Sequence, residues 1–472
     1  MNTSWQPDLG SFTGPKYLAL SRALREAVRS GSLAEGTRLP PVRDLAWTLG
    51  ITPGTVARAY QIATQDGLLE ATVGRGTFVA AARPRLGPAT DLMHAPHAAA
   101  TPRGLPKPGF IDLRPPQLPE VGQSDAIREA MAAIVSATTS HYLDYQSVRG
   151  DRHVRTAMAT YLSDFGVGPA DVDDMALTLG GQSAINIVLQ CALRGDRPLI
   201  FAEELAYPGF RHAARLNRAE VVPIALDADG MRADALDRAC RATRGRLVCV
   251  TTEAQNPTTV RMSPERRAEI VAVARAHDLQ ILEDDCFSAG SPGLPALRAV
   301  APERTWLIAS LSKSLAAGLR FGAVLCPPGL GEAARLAAQH GYFGVPGPVL
   351  DIVHSLLVSG RAAELRGLVQ AEYDRRLGIA LNVLGRFDVS WQKGLAFIWL
   401  RLPQGWRASS FTREAEARGI LIRSADEYAL VDGHAPNAVR IGLAGGPPEA
   451  AFAAAMRTLA DLLDRPPNAA FD

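Results

Sequence analysis

Lys313 stands in the run Ala309-Ser310-Leu311-Ser312-Lys313-Ser314-Leu315, and Arg320 follows seven residues later. A β-rich stretch, Thr305 to Ala309, delivers this lysine between hydroxyls. A lysine amine condenses with aldehydes, while hydroxyl and guanidinium groups suit a phosphate. The combination suits a Schiff-base lysine for pyridoxal phosphate, with Ser310, Ser312 and Arg320 on the phosphate.

Other residues complete that chemistry. The pyridine nitrogen must keep its proton for the ring to act as an electron sink, and a buried carboxylate holds it there. Asp284, in Glu283-Asp284-Asp285, is the choice for that role. Asn256 can donate to the ring hydroxyl oxygen. Gly181 and Gln182 lie in Thr178-Leu179-Gly180-Gly181-Gln182-Ser183-Ala184, a strand-to-helix turn whose free N–H groups suit a phosphate. Tyr207, in Ala206-Tyr207-Pro208-Gly209, can stack on the ring. Arg440, in Val439-Arg440-Ile441-Gly442, can fork onto an effector or substrate carboxylate. Each residue alone has a commoner structural role. The ordered set carries the reading.

The elements that must position these residues are legible. Leu247 to Thr251 reads as a buried strand. Ser263 caps, and Pro264 begins, a helix to about His277, and Leu279 to Leu282 is another strand. Asn256 and Asp284 are thus expected just past two strand ends, 28 residues apart, a normal length for a βαβ unit. Lys313 is expected past a third strand. Ligands bind beyond the carboxyl ends of strands in such sheets. From about residue 111 to 465, helical patterns alternate with β-rich runs, which predicts an α/β domain.

The first 82 residues read differently. Leu20, Ala23, Leu24, Ala27 and Val28 share one helical face, which predicts a helix from Lys16 to Ser30. A second helix is expected over Val42 to Leu49, capped by Gly50. Thr52 and Pro53 open a third, through about Gln65. Two β-like runs follow, Leu68 to Thr72 and Thr77 to Val79, joined by Gly74-Arg75-Gly76. Helix-turn-helix and hairpin together make a winged DNA-binding module over residues 14–82. Arg43, Thr52, Thr55, Arg58 and Arg75 are its candidate contacts to double-stranded DNA. Residues 83–110, rich in Pro, Ala, Gly and His, read as a linker, and His94 and His97 as part of that tether.

Bulk properties set bounds. The 472 residues are 47% hydrophobic and 21% charged, a globular mix. Residues 1–82 carry eight Lys/Arg against six Asp/Glu, a mildly basic balance. The five cysteines are scattered and unpaired by motif. That predicts neither a disulfide framework nor a metal site, and suits a reducing cytoplasm. No apolar run approaches the roughly 18 residues of a membrane span, and no signal peptide is expected.

Two resemblances sharpen these expectations. The runs Gly36-Thr37-Arg38-Leu39-Pro40-Pro41-Val42-Arg43, Thr55-Val56-Ala57-Arg58-Ala59-Tyr60 and Gly76-Thr77-Phe78-Val79 resemble the GntR-type winged helix. In that family arginine often stands where this chain has Pro53 and Ala57. The set Gly180-Gly181-Gln182, Tyr207-Pro208-Gly209, Asn256-Pro257-Thr258, Asp284, Ser310-Leu311-Ser312-Lys313 with Arg320, and Arg440 resembles fold-type I aminotransferases. That resemblance implies a mainly parallel sheet flanked by helices, a smaller carboxy-terminal α/β subdomain, pyridoxal phosphate, and a homodimer. In that homodimer Tyr145 reaches the neighbour's cofactor phosphate. These folds usually place a tyrosine two or three residues after the Asp284 position, where this chain has Cys286 and Phe287. Thr259 likewise stands where glycine is usual.

In this order, the two modules resemble MocR-type regulators of the GntR superfamily. The resemblance implies a regulator that senses pyridoxal phosphate or an amino compound through Lys313. Two alternatives stand beside it: a working aminotransferase with an appended DNA-binding module, and a DNA-binding protein whose large domain holds no cofactor.

Overall fold

The structure, a computed structural model, describes residues 5–9, 15–34, 36–65, 68–72, 76–80, 109–136, 142, 150–196, 198–287, 294–430, 435–443 and 445–465. Arg75, Tyr145 and nearly all of the expected linker lie outside the described residues. The chain divides into two units, Met1–Ala100 and Thr101–Asp472.

The first unit holds α1 (Lys16–Arg29), α2 (Val42–Leu49), α3 (Pro53–Gln65), β1 (Leu69–Thr72) and β2 (Gly76–Val79). Leu20, Leu24, Leu45, Val56, Ala59, Leu69 and Val79 form its buried core. Gly50 ends α2 at φ +60°, a left-handed turn that glycine adopts without strain. Thr52 caps α3: its Oγ1 accepts the Thr55 N–H at 3.3 Å. β1 and β2 pair antiparallel, from Leu69 with Val79 to Thr72 with Gly76. The wing has a third edge that the sequence reading did not include. Leu39 N donates to Thr77 O, Val79 N donates to Thr37 O, and Arg38 bridges to Phe78.

The second unit is built on seven strands. They are β3 (Met175–Thr178), β4 (Leu199–Glu203), β5 (Glu220–Ile224), β6 (Leu247–Val250), β7 (Gln280–Asp284), β8 (Thr305–Ser310) and β9 (Gly322–Leu325). Their spatial order is β3-β9-β8-β7-β6-β4-β5. All neighbours are parallel except β9, which runs antiparallel to both β8 and β3. β3, β6 and β9 are buried at every position, as expected of strands covered on both faces. Among the covering helices, α4 (Gly181–Ala192) follows β3 and α5 (Pro264–Ala276) crosses from β6 to β7. Ser263 caps α5, its side chain accepting the Arg266 N–H.

The 24-residue α6 (Arg361–Leu384) leads into the smaller subdomain. Its first turns bury Ala362 and Leu365 in a core shared with Leu307 and Leu325 of the large sheet. Its later turns bury Tyr373, Leu377 and Leu384 beside a four-stranded antiparallel sheet. That sheet contains Val389–Ser390, β10 (Phe397–Arg401), Arg423–Ser424 and β11 (Ala438–Gly442). The chain's return from the first unit also lands here: Ile111–Asp112 pairs parallel with Ile420–Leu421. Among the described residues no helix is long and apolar enough to cross a membrane.

Candidate functional site

β6, β7 and β8 are adjacent and parallel, so their carboxyl ends open at one edge of the sheet. Asn256 follows β6 and Lys313 follows β8. Asp284 is not past β7, as the sequence suggested, but is its last residue, paired with Ile308 of β8. The strand continues because its backbone keeps a partner there. Asp284 Oδ1 accepts the Cys286 N–H at 3.0 Å. Burial raises the Asp284 pKa, and its hydrogen bonds from Cys286 oppose that rise. Such a carboxyl gains from a cation placed against it.

Lys313 ends a short helical turn, Leu311–Lys313. Burial and then the charge of Arg440 hold its pKa down to about 8, while Cys286 acts in the opposite sense. Its Nζ lies 5.6 Å from the centre of the Phe287 ring. Ser310 Oγ accepts the Ser312 N–H at 3.2 Å. Ser312 Oγ is buried with no hydrogen-bond partner among the described residues.

Across from these, Gly180 and Gly181 begin α4. Gly180 sits at φ +79°, and a Cβ there would lie 2.8 Å from Arg320 Nη2. A Cβ on Gly181 would lie 2.5 Å from Cys286 Sγ. The Arg320 guanidinium is therefore set against the start of α4, where its Nη2 donates to Leu179 O at 3.1 Å. Free helix N–H groups, an arginine and an unpartnered buried hydroxyl form a cradle suited to a phosphate.

Tyr207 is 39% exposed at the start of the helix Pro208–Leu216. Burial of its hydroxyl raises its pKa, as do the charges of Asp284 and Cys286. Gln182, expected beside a phosphate through its backbone N–H, donates with its side-chain Nε2 to Gly209 O at 3.1 Å. That bond ties α4 to the turn carrying Tyr207. A Cβ on Gly209 would approach Tyr207 Cε1 to 2.1 Å, so any larger residue there would displace that ring.

Arg440 lies on β11 and is 4% exposed. Its Nη1 donates to Asn256 Oδ1 at 3.1 Å and to Tyr428 Oη at 2.7 Å. Its plane lies 4.3 Å from the Phe397 ring centre. Its Nε and Nη2 are buried with no hydrogen-bond partner among the described residues. Those two N–H groups form the side of a guanidinium that grips a carboxylate in bidentate fashion. Burial lowers the Arg440 pKa and Tyr428 opposes that.

Three groups here escaped the sequence reading: Tyr428, Glu203 and Gln255. Glu203, the last residue of β4, is buried and its carboxyl is pushed up to about 8 by burial, with Gln255 opposing. Gln255 Nε2 donates to Glu203 Oε2 at 3.1 Å and to Leu205 O at 2.6 Å. Gln255 Oε1 accepts from Thr258 N and Oγ1 at 2.9 and 2.7 Å. The amide thus fastens the Asn256 loop to the end of β4. The one available signal was an acidic residue closing the apolar run Leu199–Ala202.

In the first unit, Arg43 is exposed in the first turn of α2, and Thr52 is exposed at the start of α3. The Thr52 and Thr55 hydroxyls lie 2.9 Å apart. Arg58 departs from its expected place. It is half-buried, with its guanidinium 3.9 Å from the Tyr17 ring centre on α1, so it braces two helices rather than lining the exposed face. Arg38, not among the candidate contacts, is exposed at the base of the wing, where a Cβ on Gly76 would lie 3.0 Å from its Nε.

Comparison with known proteins follows this division. Residues 114–457 match the model of aminotransferase class I and II, and residues 16–79 match bacterial regulatory proteins of the gntR family. The chain is 28% identical over 449 residues to the uncharacterized HTH-type transcriptional regulator YdeF of Bacillus subtilis, covering 93% of this chain and 92% of that one. It is 29% identical over 349 residues to the probable rhizopine catabolism regulatory protein MocR of Rhizobium meliloti, covering 70% and 69%. An archaeal alanine:glyoxylate aminotransferase superposes with a TM-score of 0.68 at 21% identity, covering 75% of this chain and 91% of that one.

Proposed function

The chain belongs to the aminotransferase class I and II family, in the MocR-type arrangement with a gntR-family module ahead of it, and from that premise we propose a DNA-binding transcriptional regulator that senses pyridoxal phosphate, or an amino compound, at Lys313. The fold of its larger unit is one that generally uses pyridoxal phosphate. Relatives matched over 93% of this chain are named regulators, so this reading fits better than an aminotransferase with an appended module.

The residues present fit the cofactor. The buried Ser312 hydroxyl and the side-chain-free turn at Gly180 suit its phosphate, with Ser310 and Arg320 beside them. Asp284 would hold the proton of the ring nitrogen, Asn256 would donate to the ring hydroxyl, and Tyr207 would cover a ring face. When bound, the cofactor supplies an aldehyde and an electron sink. Lys313 is half-buried and its lowered pKa leaves more of its amine neutral near neutral pH, the form that can attack an aldehyde. Arg440 offers its unpartnered Nε–Nη2 side to an incoming carboxylate, and this observation carries the sensing half of the proposal.

Binding an amino acid there would free the Lys313 amine and neutralise Arg440. A ligand shifts DNA affinity only if it binds two conformations unequally. A homodimer would present two DNA-binding units, and Tyr145 would serve the partner's phosphate cradle.

The test is fluorescence anisotropy of the DNA upstream of the chain's own coding region, at fixed salt, with and without pyridoxal phosphate. Selective, salt-sensitive binding that the cofactor changes, and that Lys313→Ala no longer changes, is the expected result. Effector-dependent binding that survives Lys313→Ala would rule out sensing through the lysine. Rapid steady-state transamination without selective DNA binding would favour the enzyme reading.

A further inference from the structure

The second unit contains a crevice of about 790 Å³ that is not the Lys313 site. Lys313 itself borders a recess of about 40 Å³. One wall of the crevice is the loop after β6, with Glu253, Thr259 and Arg261. The other is the turn before β10, with Trp391, Gln392 and Lys393. The walls therefore belong to the seven-stranded and the four-stranded sheets.

The charges in this crevice are unevenly answered. Glu253 is shared by two arginines: Arg267 hydrogen-bonds its Oε1, and Arg261 Nε lies 2.9 Å from its Oε2. Asp374, which also lines the crevice, accepts the Gly394 N–H at 2.7 Å. Both carboxylates are thus engaged by the protein. Arg261 Nη2 is buried with no hydrogen-bond partner among the described residues. Lys393 is exposed beside Trp391, whose indole is 44% exposed. The unpartnered Nη2 edge of Arg261, whose Nε pairs with Glu253, and the exposed ammonium of Lys393 next to an open aromatic face suit an anion carrying a flat ring.

The backbone supports a built site. Thr259 sits at φ +66°, a left-handed conformation that is strained for a β-branched residue. It is held there from both sides: its N–H donates to Gln255 O at 2.7 Å, and its carbonyl accepts from Gln392 Nε2. Gln392 also donates to Glu253 O at 3.2 Å, so one amide joins the two walls. Strained residues that their surroundings over-determine concentrate at ligand clamps.

We propose that this crevice is a second ligand site for a small planar aromatic carboxylate, its anion on Arg261 and Lys393 and its ring on Trp391. The site is independent of the reading of Lys313 as a sensor. The volume falls within the range of small-molecule sites, roughly 300–1,000 Å³.

The probe is phenylacetate, titrated into the purified full chain labelled with 5-fluorotryptophan and followed by 19F NMR. Trp391→Phe assigns the Trp391 signal. Phenylacetate is expected to move that signal saturably. Arg261→Gln combined with Lys393→Gln is expected to weaken binding about tenfold or more, because a charge-assisted contact is lost. Cyclohexylacetate, which lacks the flat ring, is expected to bind more weakly. Arg440→Lys should leave the titration unchanged, since Arg440 does not line the crevice. A Trp391 signal that does not move, a midpoint unchanged in the double variant, equal binding of cyclohexylacetate, or loss of the shift in Arg440→Lys would each overturn the assignment.

Discussion

Lys313 joins geometry to acidity in a way that can be measured. Its amine is held at about 8 rather than 10.5 by burial and by Arg440. At pH 7.5 about a quarter of such amines are neutral, against about one in a thousand for an ordinary lysine. Uptake of pyridoxal phosphate by the cofactor-free chain should therefore accelerate through pH 7 to 9 and level off above the midpoint. Borohydride reduction and peptide mass at Lys313 would follow it. A midpoint near 10 would show that the amine does not feel this environment, and Lys313→Ala should retain no reduced adduct.

Glu203 gives a second test at the same scale, with the sign fixed by linkage. Its folded-state pKa is raised to about 8, so between roughly 4.5 and 8 the folded chain binds more protons than the unfolded chain. Stability contributed by this group is present at low pH and is lost as pH rises through that window. Glu203→Gln keeps the shape and removes the titration. Its melting temperature relative to the parent should therefore be higher at pH 9 than at pH 5. A difference that is the same at both pH values would mean that Glu203 is ionised in the native state.

Among the elements, the turn into α4 depends on glycine. Gly180 combines φ +79° with ψ 179°, a region essentially confined to glycine, and its missing Cβ is the space Arg320 occupies. Gly180→Ala should cost about 1–3 kcal/mol in stability. Displacing Arg320 should also weaken cofactor affinity about tenfold or more, read by absorbance titration. An unchanged affinity would remove Arg320 from the phosphate cradle. At the other end of the chain, Thr52→Ala removes the cap of α3 and should cost about 1 kcal/mol in urea unfolding.

How much of this was legible in sequence divides along the same line. Local signals placed α2 at Val42–Leu49 and opened α5 at Ser263-Pro264, because caps and breakers act within a few residues. The positions of Asp284 and Lys313 at or just past strand ends were legible, because strand ends follow from apolar runs. Long-range pairing was not. Nothing local says that β9 inserts antiparallel between β3 and β8, or that Ile111–Asp112 joins the smaller subdomain. The Asp284 boundary moved because Ile308 supplied a partner. Arg58 was assigned to the DNA face because the number of residues per turn gives a rotation but not which neighbour, here Tyr17, takes the side chain. Glu203, Gln255 and Tyr428 carry no motif. Their roles appear only once β4, the Asn256 loop and β11 are brought together.

For the whole molecule, the proposed regulator is a statement about coupling between its two units, and coupling is reciprocal. If an amino compound at Lys313 and Arg440 changes DNA affinity by some factor, DNA must change the affinity for that compound by the same factor. Factors of about 5–150 are typical of such coupling. The two arms use different observables: anisotropy of labelled DNA at saturating ligand, and cofactor absorbance titrated with ligand at saturating DNA. Both must be run at one salt concentration, since each phosphate contact makes DNA affinity steeply salt-dependent. Agreement of the two factors is expected, together with loss of both in Arg440→Lys, because that variant removes the unpartnered Nε–Nη2 side that a carboxylate would occupy. DNA binding that responds to ligand while the absorbance titration ignores DNA would place the effector somewhere other than the Lys313 site. The crevice between Arg261 and Trp391 would then be the first place to look, and the Arg261→Gln, Lys393→Gln double variant would decide whether the response moves with it.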